Sequence, residues 1–182
     1  LSISQEQLQR LSGLVEQILT MSMEQRKTFR LRPEEITLAT LLESLTEQHK
    51  LKAQNPIDID YRVEPANLTV FADRTHFSNI LSNLIDNAVK YSPGKAFIRI
   101  HCRETADNGK VEISVSDEGT GIAQEKQKHI FDKFYRVPTG NLHNVKGYGL
   151  GLYYVKTMIE KHGGTVCVKS EPGHGSTFTI TL

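Results

Sequence analysis

The stretch HFSNILSNLIDNAVKY, residues 76–91, decides how this chain folds. At 100° per residue, Leu81, Leu84, Ile85 and Ala88 form an apolar stripe, extended by Phe77 and Ile80. Asp73 stands where an N-cap would open this helix, and Ser92-Pro93-Gly94 stops it. Asn83, Asn87 and Lys90, spaced i, i+4 and i+7, share a second face beside the stripe, which sets two amides and an ammonium at a cleft edge. Asn is a mediocre helix residue because its side chain competes for backbone hydrogen bonds. Two of them one turn apart fit either an ordinary solvated pair or a ligand-binding pair when the helix is taken alone.

The surrounding composition narrows the class. The 182 residues are 38% apolar and 24% charged, the balance of a globular domain with an appendage. A net charge of +1 without any Lys/Arg block argues against a nucleic-acid surface. No apolar run reaches membrane-spanning length and no signal peptide is visible, so a cytoplasmic piece without membrane contact is expected. Cys102 and Cys167 lie in strand-like runs without metal-ligand spacing and read as buried thiols in a reducing compartment. The chain opens at Leu1 in the middle of a helical pattern, as a piece of a longer protein would.

Residues 1–29 read as one amphipathic helix, with Leu1, Ser4, Leu8, Leu11, Val15, Ile18 and Ser22 on a heptad seam that wants a partner helix. Pro33 ends that pattern, and a mixed one follows over 30–182. Strands are expected near 34–37, 57–63, 68–71, 96–102, 111–116, 165–169 and 176–181. A helix over 38–52 turns Leu41, Leu42 and Leu45 inward, and another over 150–162 turns Leu152, Val155 and Ile159 inward. Asp107-Asn108-Gly109 reads as a hairpin turn, and residues 123–146 as loop with short helices at most. This order of elements predicts an α+β fold, an α/β sandwich of a mixed sheet with helices on one face.

Three glycine clusters follow the opening helix. Asp117-Glu118-Gly119-Thr120-Gly121 ends a strand. It is either a simple turn or a site where a carboxylate, which accepts hydrogen bonds and donates none, reads an amino group on a ligand. Gly147-Tyr148-Gly149-Leu150-Gly151 opens a helix, where unpaired amides and the helix dipole favour phosphate. It is neither a Walker loop nor a dinucleotide fingerprint. Gly173-His174-Gly175-Ser176 reads as a hairpin turn. Between the first two clusters, Phe131, Phe134 and Tyr135 sit among Lys126, Lys128, Lys133, Arg136 and Lys146. Such a segment is either a lid pinned by its aromatics or a mobile basic loop.

The set, in this order, resembles the catalytic and ATP-binding domain of sensor histidine kinases. That domain shares the Bergerat fold, a mixed and mostly antiparallel sheet with helices packed on one face, with type II topoisomerase, heat-shock chaperone and mismatch-repair ATPases. Asn83-Leu-Ile-Asp-Asn87-Ala-Val-Lys90-Tyr91 looks like the N box and Asp117-Glu-Gly-Thr-Gly121 like the G1 box. Phe131-Asp-Lys-Phe134-Tyr-Arg136 resembles the F box, Gly147-Tyr-Gly149-Leu150-Gly151-Leu the G2 box, and Gly173-His-Gly175-Ser-Thr177-Phe the last glycine motif. The resemblance implies ATP bonded at its amino group to Asp117, with Gly119 and Gly121 shaping the turn, and Mg²⁺ held by Asn87 and Asn83. Lys90, Arg136 and Lys146 would face the phosphates, and Tyr91, Phe131 and Thr177 the nucleotide. Gly147, Gly149, Leu150 and Gly151 would clasp the phosphate tail. Asn83 occupies the position where the ATPase branches carry a Glu base, so phosphotransfer rather than fast hydrolysis is implied.

The family's phospho-accepting His sits in a His-Glu/Asp-x-x-x-Pro context that none of the seven histidines here has. Residues 1–29 resemble part of the second helix of the dimerisation domain that carries that His. The implied partners are this dimerisation domain in a homodimeric parent and a response regulator.

Overall fold

In the computed structural model the described residues are 30–53, 55–106, 109–137 and 148–182. The expected helix over 1–29, the turn residues 107 and 108, Lys146 and Gly147 lie outside them. The chain divides into two units, Leu1–Leu31 and Arg32–Leu182, and the second is the one described here.

Strand β1 (Pro33–Thr37) leads straight into helix α1 (Leu38–Lys52), whose Leu38, Leu41, Leu42 and Leu45 are buried. Strands β2 (Ile57–Glu64) and β3 (Thr69–Asp73) follow, and then helix α2 (Arg74–Lys90). The apolar stripe of α2 is realised residue for residue: Phe77, Ile80, Leu81, Leu84, Ile85 and Ala88 are its buried positions. Asp73 caps α2 as expected, its carboxylate accepting from the backbone N of His76. Strands β4 (Ala96–Glu104) and β5 (Val111–Asp117) form the expected hairpin. A single helical turn, α3 (Gln124–Gln127), and helix α4 (Gly151–Lys161) precede the closing hairpin of β6 (Thr165–Glu171) and β7 (Gly175–Thr181).

The main sheet runs β2-β4-β5-β7-β6, parallel only between β2 and β4. All three long helices contact one face of it, with α2 over β4 and β5, α1 over β2 and α4 over β6. Side chains alternate across a strand, so this face is lined by Ile98, Ile100, Cys102, Ile113, Val115, Phe178 and Ile180, all buried. Burying each such side chain contributes about 1.5–3 kcal/mol, so this shared layer dominates stability. A separate two-stranded sheet, β1 with β3, was not anticipated.

Two expectations need correction. Cys102 is buried, and burial pushes its thiol up to about 12, but Cys167 is exposed. Cys167 falls between Val166 and Val168 on edge strand β6, so the alternation that turns those valines inward turns it outward. Leu152 is not a core residue of α4. Tyr154, Val155, Met158 and Ile159 take that face, and Leu152, in the first turn, borders the cavity described next.

Candidate nucleotide site

The β5 register sets the floor of the site. Asp117 pairs with Ile98 on one side and Ser176 on the other, and Ser176 pairs with Ser170 on β6. Directly opposed residues share a face, so Asp117, Ser176 and Ser170 form a polar row at the end of the apolar layer. Above this row lies an open cavity, with about 640 Å³ of empty space when the solvent at its mouth is included. Asn87 of α2 and Tyr91 just after its end line it from one side and Tyr135, Arg136 and Val137 from another, with Thr120, Gly121, Ile122, Ile130, Leu152 and Phe178 completing the walls.

The Asp117 carboxylate is half-buried. Loss of hydration pushes its pKa up, against the backbone N–H groups of Gly119 and Ser176, which donate to Oδ1 at 2.8 and 3.3 Å and favour the charged form. Among the described residues no protein donor reaches Oδ2, which leaves one oxygen of this cavity-lining carboxylate as an acceptor. The turn after it is close-packed. A Cβ on Gly119 would stand 2.7 Å from both Asp117 Oδ1 and the Tyr91 carbonyl oxygen, and Thr120 N donates to that same carbonyl. This turn therefore locks the end of α2 to the end of β5. Tyr91 has its phenol pKa raised by burial and drawn back by nearby Arg136, which places the guanidinium at the cavity rim.

Asn83 and Asn87 diverge. Asn87 lines the cavity. Asn83 donates from Nδ2 to the Asn79 carbonyl at 2.7 Å, and its Oδ1 lies where a Cβ on Gly151 would be, 2.7 Å from that point. A side chain at 151 would require the Asn83 amide to shift. Lys90 stacks its ammonium over the Tyr91 ring at 5.0 Å and does not line the cavity.

Among its described residues, the segment that carries Tyr135 and Arg136 is fastened at several points, two of them near the cavity. Phe131 packs edge-on against Phe178, with ring centroids 6.3 Å apart. Phe134 N donates to the Gly149 carbonyl at 2.9 Å, and a Cβ on Gly149 would lie 2.6 Å from the Phe134 carbonyl carbon. On the pinned-lid alternative Phe134 would hold the loop, but it is 64% exposed, at φ 65°, a backbone region that L residues rarely take. The carbonyl and amide of this turn hold the loop, while the ring points to solvent.

Of the residues anticipated from sequence, Asn87, Tyr91, Asp117, Gly121 and Arg136 surround the cavity. Gly119, Asn83, Gly149, Gly151 and Phe131 support them from behind, and buried Leu150 ends the same loop. Thr177 is displaced from the anticipated set. It alternates to the other sheet face, where its Oγ1 lies 2.9 Å from Ser116 Oγ, and Ser176 takes the place at the cavity. The inward set Ser176, Phe178 and Ile180 follows from strand alternation, so the signal was present in the sequence. His76, in the first turn of α2 at the end opposite Asn87, bonds to the Tyr154 hydroxyl at 2.9 Å.

The donor set can be weighed against a divalent cation. Among the described residues no three His, Cys, Asp or Glu side chains cluster, so a carboxylate cage is ruled out there. Neutral amide oxygens remain, which suit a hard cation that keeps waters and takes anionic oxygens from a ligand. No helix among the described residues is long and apolar enough to cross a membrane.

The pattern of histidine kinase-, DNA gyrase B-, and HSP90-like ATPases matches residues 72–182, and the chain belongs to that family. Sensor protein RprX of Bacteroides fragilis is 41% identical over 178 residues, which cover 97% of this chain and 34% of RprX. Full-length ShkA in complex with AMPPNP superposes with a TM-score of 0.80 at 28% identity, over 95% of this chain and 35% of ShkA. Histidine kinase ThkA in complex with response regulator protein TrrA gives a TM-score of 0.76 at 27% identity, over 99% of this chain and 49% of that one. This chain thus spans about a third of the length of the curated relatives it matches.

Proposed function

We propose that residues 30–182 are the catalytic, Mg-ATP-binding domain of a sensor histidine kinase, and that residues 1–29 belong to the second helix of its dimerisation domain. The observation that carries this reading is the Asp117 carboxylate at the cavity floor, with one oxygen left as an acceptor and Asn87 and Arg136 on the walls around it. A lone acceptor favours an exocyclic amino group over a keto oxygen, as adenine requires. Tyr91 offers a ring against the base, and Arg136 a fixed positive charge for phosphate. Asn87, with Asn83 beside the α4 start, would hold Mg²⁺ through amide oxygen. When bound, the ion neutralises phosphate charge as the γ-phosphoryl group leaves.

Asn83 cannot serve as a general base, so the domain holds the γ-phosphate for a histidine acceptor rather than for water. The acceptor lies on the dimerisation domain of a homodimeric parent, and a response regulator receives the phosphate next. ThkA in complex with TrrA and the ShkA complex with AMPPNP support both the partner and the nucleotide.

The test supplies this chain with Mg²⁺, γ-labelled ATP and a separate dimerisation domain that carries the acceptor His. Acid-labile label on that domain is the expected result. Tight ATP binding without any transfer to a competent acceptor would reduce the chain to a nucleotide-binding module. Asn83→Glu should leave hydrolysis slow, since water access also matters; a large rise would show that this one position decides between transferase and hydrolase.

A further inference from the structure

The polar row beneath the cavity holds a residue that nothing above assigns. Ser170, on edge strand β6, has one hydroxyl proton and two lone pairs. Its Oγ lies 2.8 Å from Ile122 N, 2.7 Å from the Gly175 carbonyl oxygen and 2.9 Å from Ser176 Oγ. An N–H can only donate and a carbonyl can only accept, so these partners fix every proton. Ile122 N–H donates to Ser170, and Ser170 donates to Gly175. The remaining contact is satisfied only if the Ser176 hydroxyl donates to Ser170.

The consequence falls on Ser176, which borders the cavity beside Asp117. With its proton directed sideways along the row, Ser176 presents lone pairs to a ligand and no donor. The Asp117 carboxylate presents lone pairs too. The floor of the pocket is thus acceptor-only, and Ser170 is what keeps it so. Gln127 reinforces the arrangement from the lid base, since its Nε2 donates to the Ile122 and Ser170 carbonyls at 2.9 and 2.8 Å.

We propose that Ser170 is a specificity-determining positioning residue, which orients the Ser176 hydroxyl so that the base pocket accepts an amino-bearing purine and rejects a keto-bearing one. The inference rests on the nucleotide reading above. Replacing Ser170 by Ala releases the Ser176 proton, which can then swing into the cavity and donate to a keto oxygen.

The experiment measures the affinity of the whole chain for ATP and for inosine triphosphate, which differ in this respect by an amino against a keto group. Wild type should prefer ATP. Ser170→Ala should shrink that preference about threefold to tenfold, the size of one hydrogen bond regained. Ser170→Thr, which keeps the hydroxyl, should restore it. A general loosening of the hairpin would weaken both nucleotides alike, so an unchanged ratio in Ser170→Ala overturns the proposal while ATP binding stands. A wild-type chain that binds neither nucleotide overturns the nucleotide reading, and this inference with it.

Discussion

Asp117 and Ser176 sit on strands hydrogen-bonded on both sides, within a sheet whose buried face carries most of the apolar core. Tyr135 and Arg136, across the same cavity, sit on a segment with one helical turn, fastened among its described residues by Gln127 on the Ser170 carbonyl, Phe131 on Phe178 and Phe134 N on Gly149. The floor is fixed once the sheet forms, because moving it would break the ladders of β5 and β7. The described part of the segment is held by fewer bonds than a strand ladder, so moving it would cost a small part of the total stability. Selectivity for a base needs a rigid floor, and entry of a phosphate tail needs a part that can move. On the proposed function these tasks fall to different kinds of structure, and the following variants separate them.

The largest effect is expected on the wall that belongs to the floor side. Asn87→Ala removes an amide oxygen from the cavity without touching the buried stripe of α2. Mg-dependent ATP affinity should fall by about 2–3 kcal/mol, roughly 30- to 150-fold, while the melting temperature holds. Titration calorimetry with and without Mg²⁺ checks it, and unchanged affinity would remove Asn87 from the site.

Asp117→Asn comes next, with an affinity loss on the order of tenfold because the amide offers a donor where an acceptor is needed. The pH dependence has a definite sign. The folded carboxyl keeps its proton to higher pH than the unfolded one, because burial is the leading influence on it. The folded state therefore binds more protons through that window, and this group's unfavourable effect on stability is present at neutral pH and fades as pH falls through its raised pKa. Ligand binding runs the other way, since a protonated Asp117 loses acceptor character. ATP affinity should drop on acidification starting above the ordinary carboxylate range, and Asp117→Asn should flatten that profile. A floor insensitive to this substitution would break the contrast with the lid.

Much of the floor was legible in the sequence, for a physical reason. The α2 stripe and the strand alternation come from local periodicity, and the Asp117 turn announces itself by glycines that a close approach requires. Even so, the last glycine motif spans two residues of opposite face, and only parity tells that Ser176 and not Thr177 turns inward. The β1–β3 sheet and the parallel β2–β4 pairing were not legible, because each joins segments whose partners lie far away in the chain. Ser170 was missed too, since one serine between Lys169 and Glu171 at a strand end carries no signal until its three partners are in place. In the lid, aromatic spacing has no period to read, so Phe131 and Phe134 looked equivalent.

That pair supplies the smallest and sharpest comparison. Phe131 makes an edge-to-face contact worth about 0.5–1.5 kcal/mol beyond its burial, so Phe131→Ala should loosen the lid, speed nucleotide release and lower stability by on the order of 1 kcal/mol. Phe134 points to solvent, and its turn is held by backbone atoms that Phe134→Ser leaves in place. Stability should then change by no more than about 0.5 kcal/mol, as for other exposed positions. Gly at 134 should do slightly better than Phe, because it relieves the positive φ without touching the bond to Gly149. Thermal melts of the three variants, together with stopped-flow release of a fluorescent ATP analogue, measure both quantities. If Phe134→Ser destabilised the domain as much as Phe131→Ala, the ring rather than the backbone would fasten the lid, and the lid would share the floor's mode of construction.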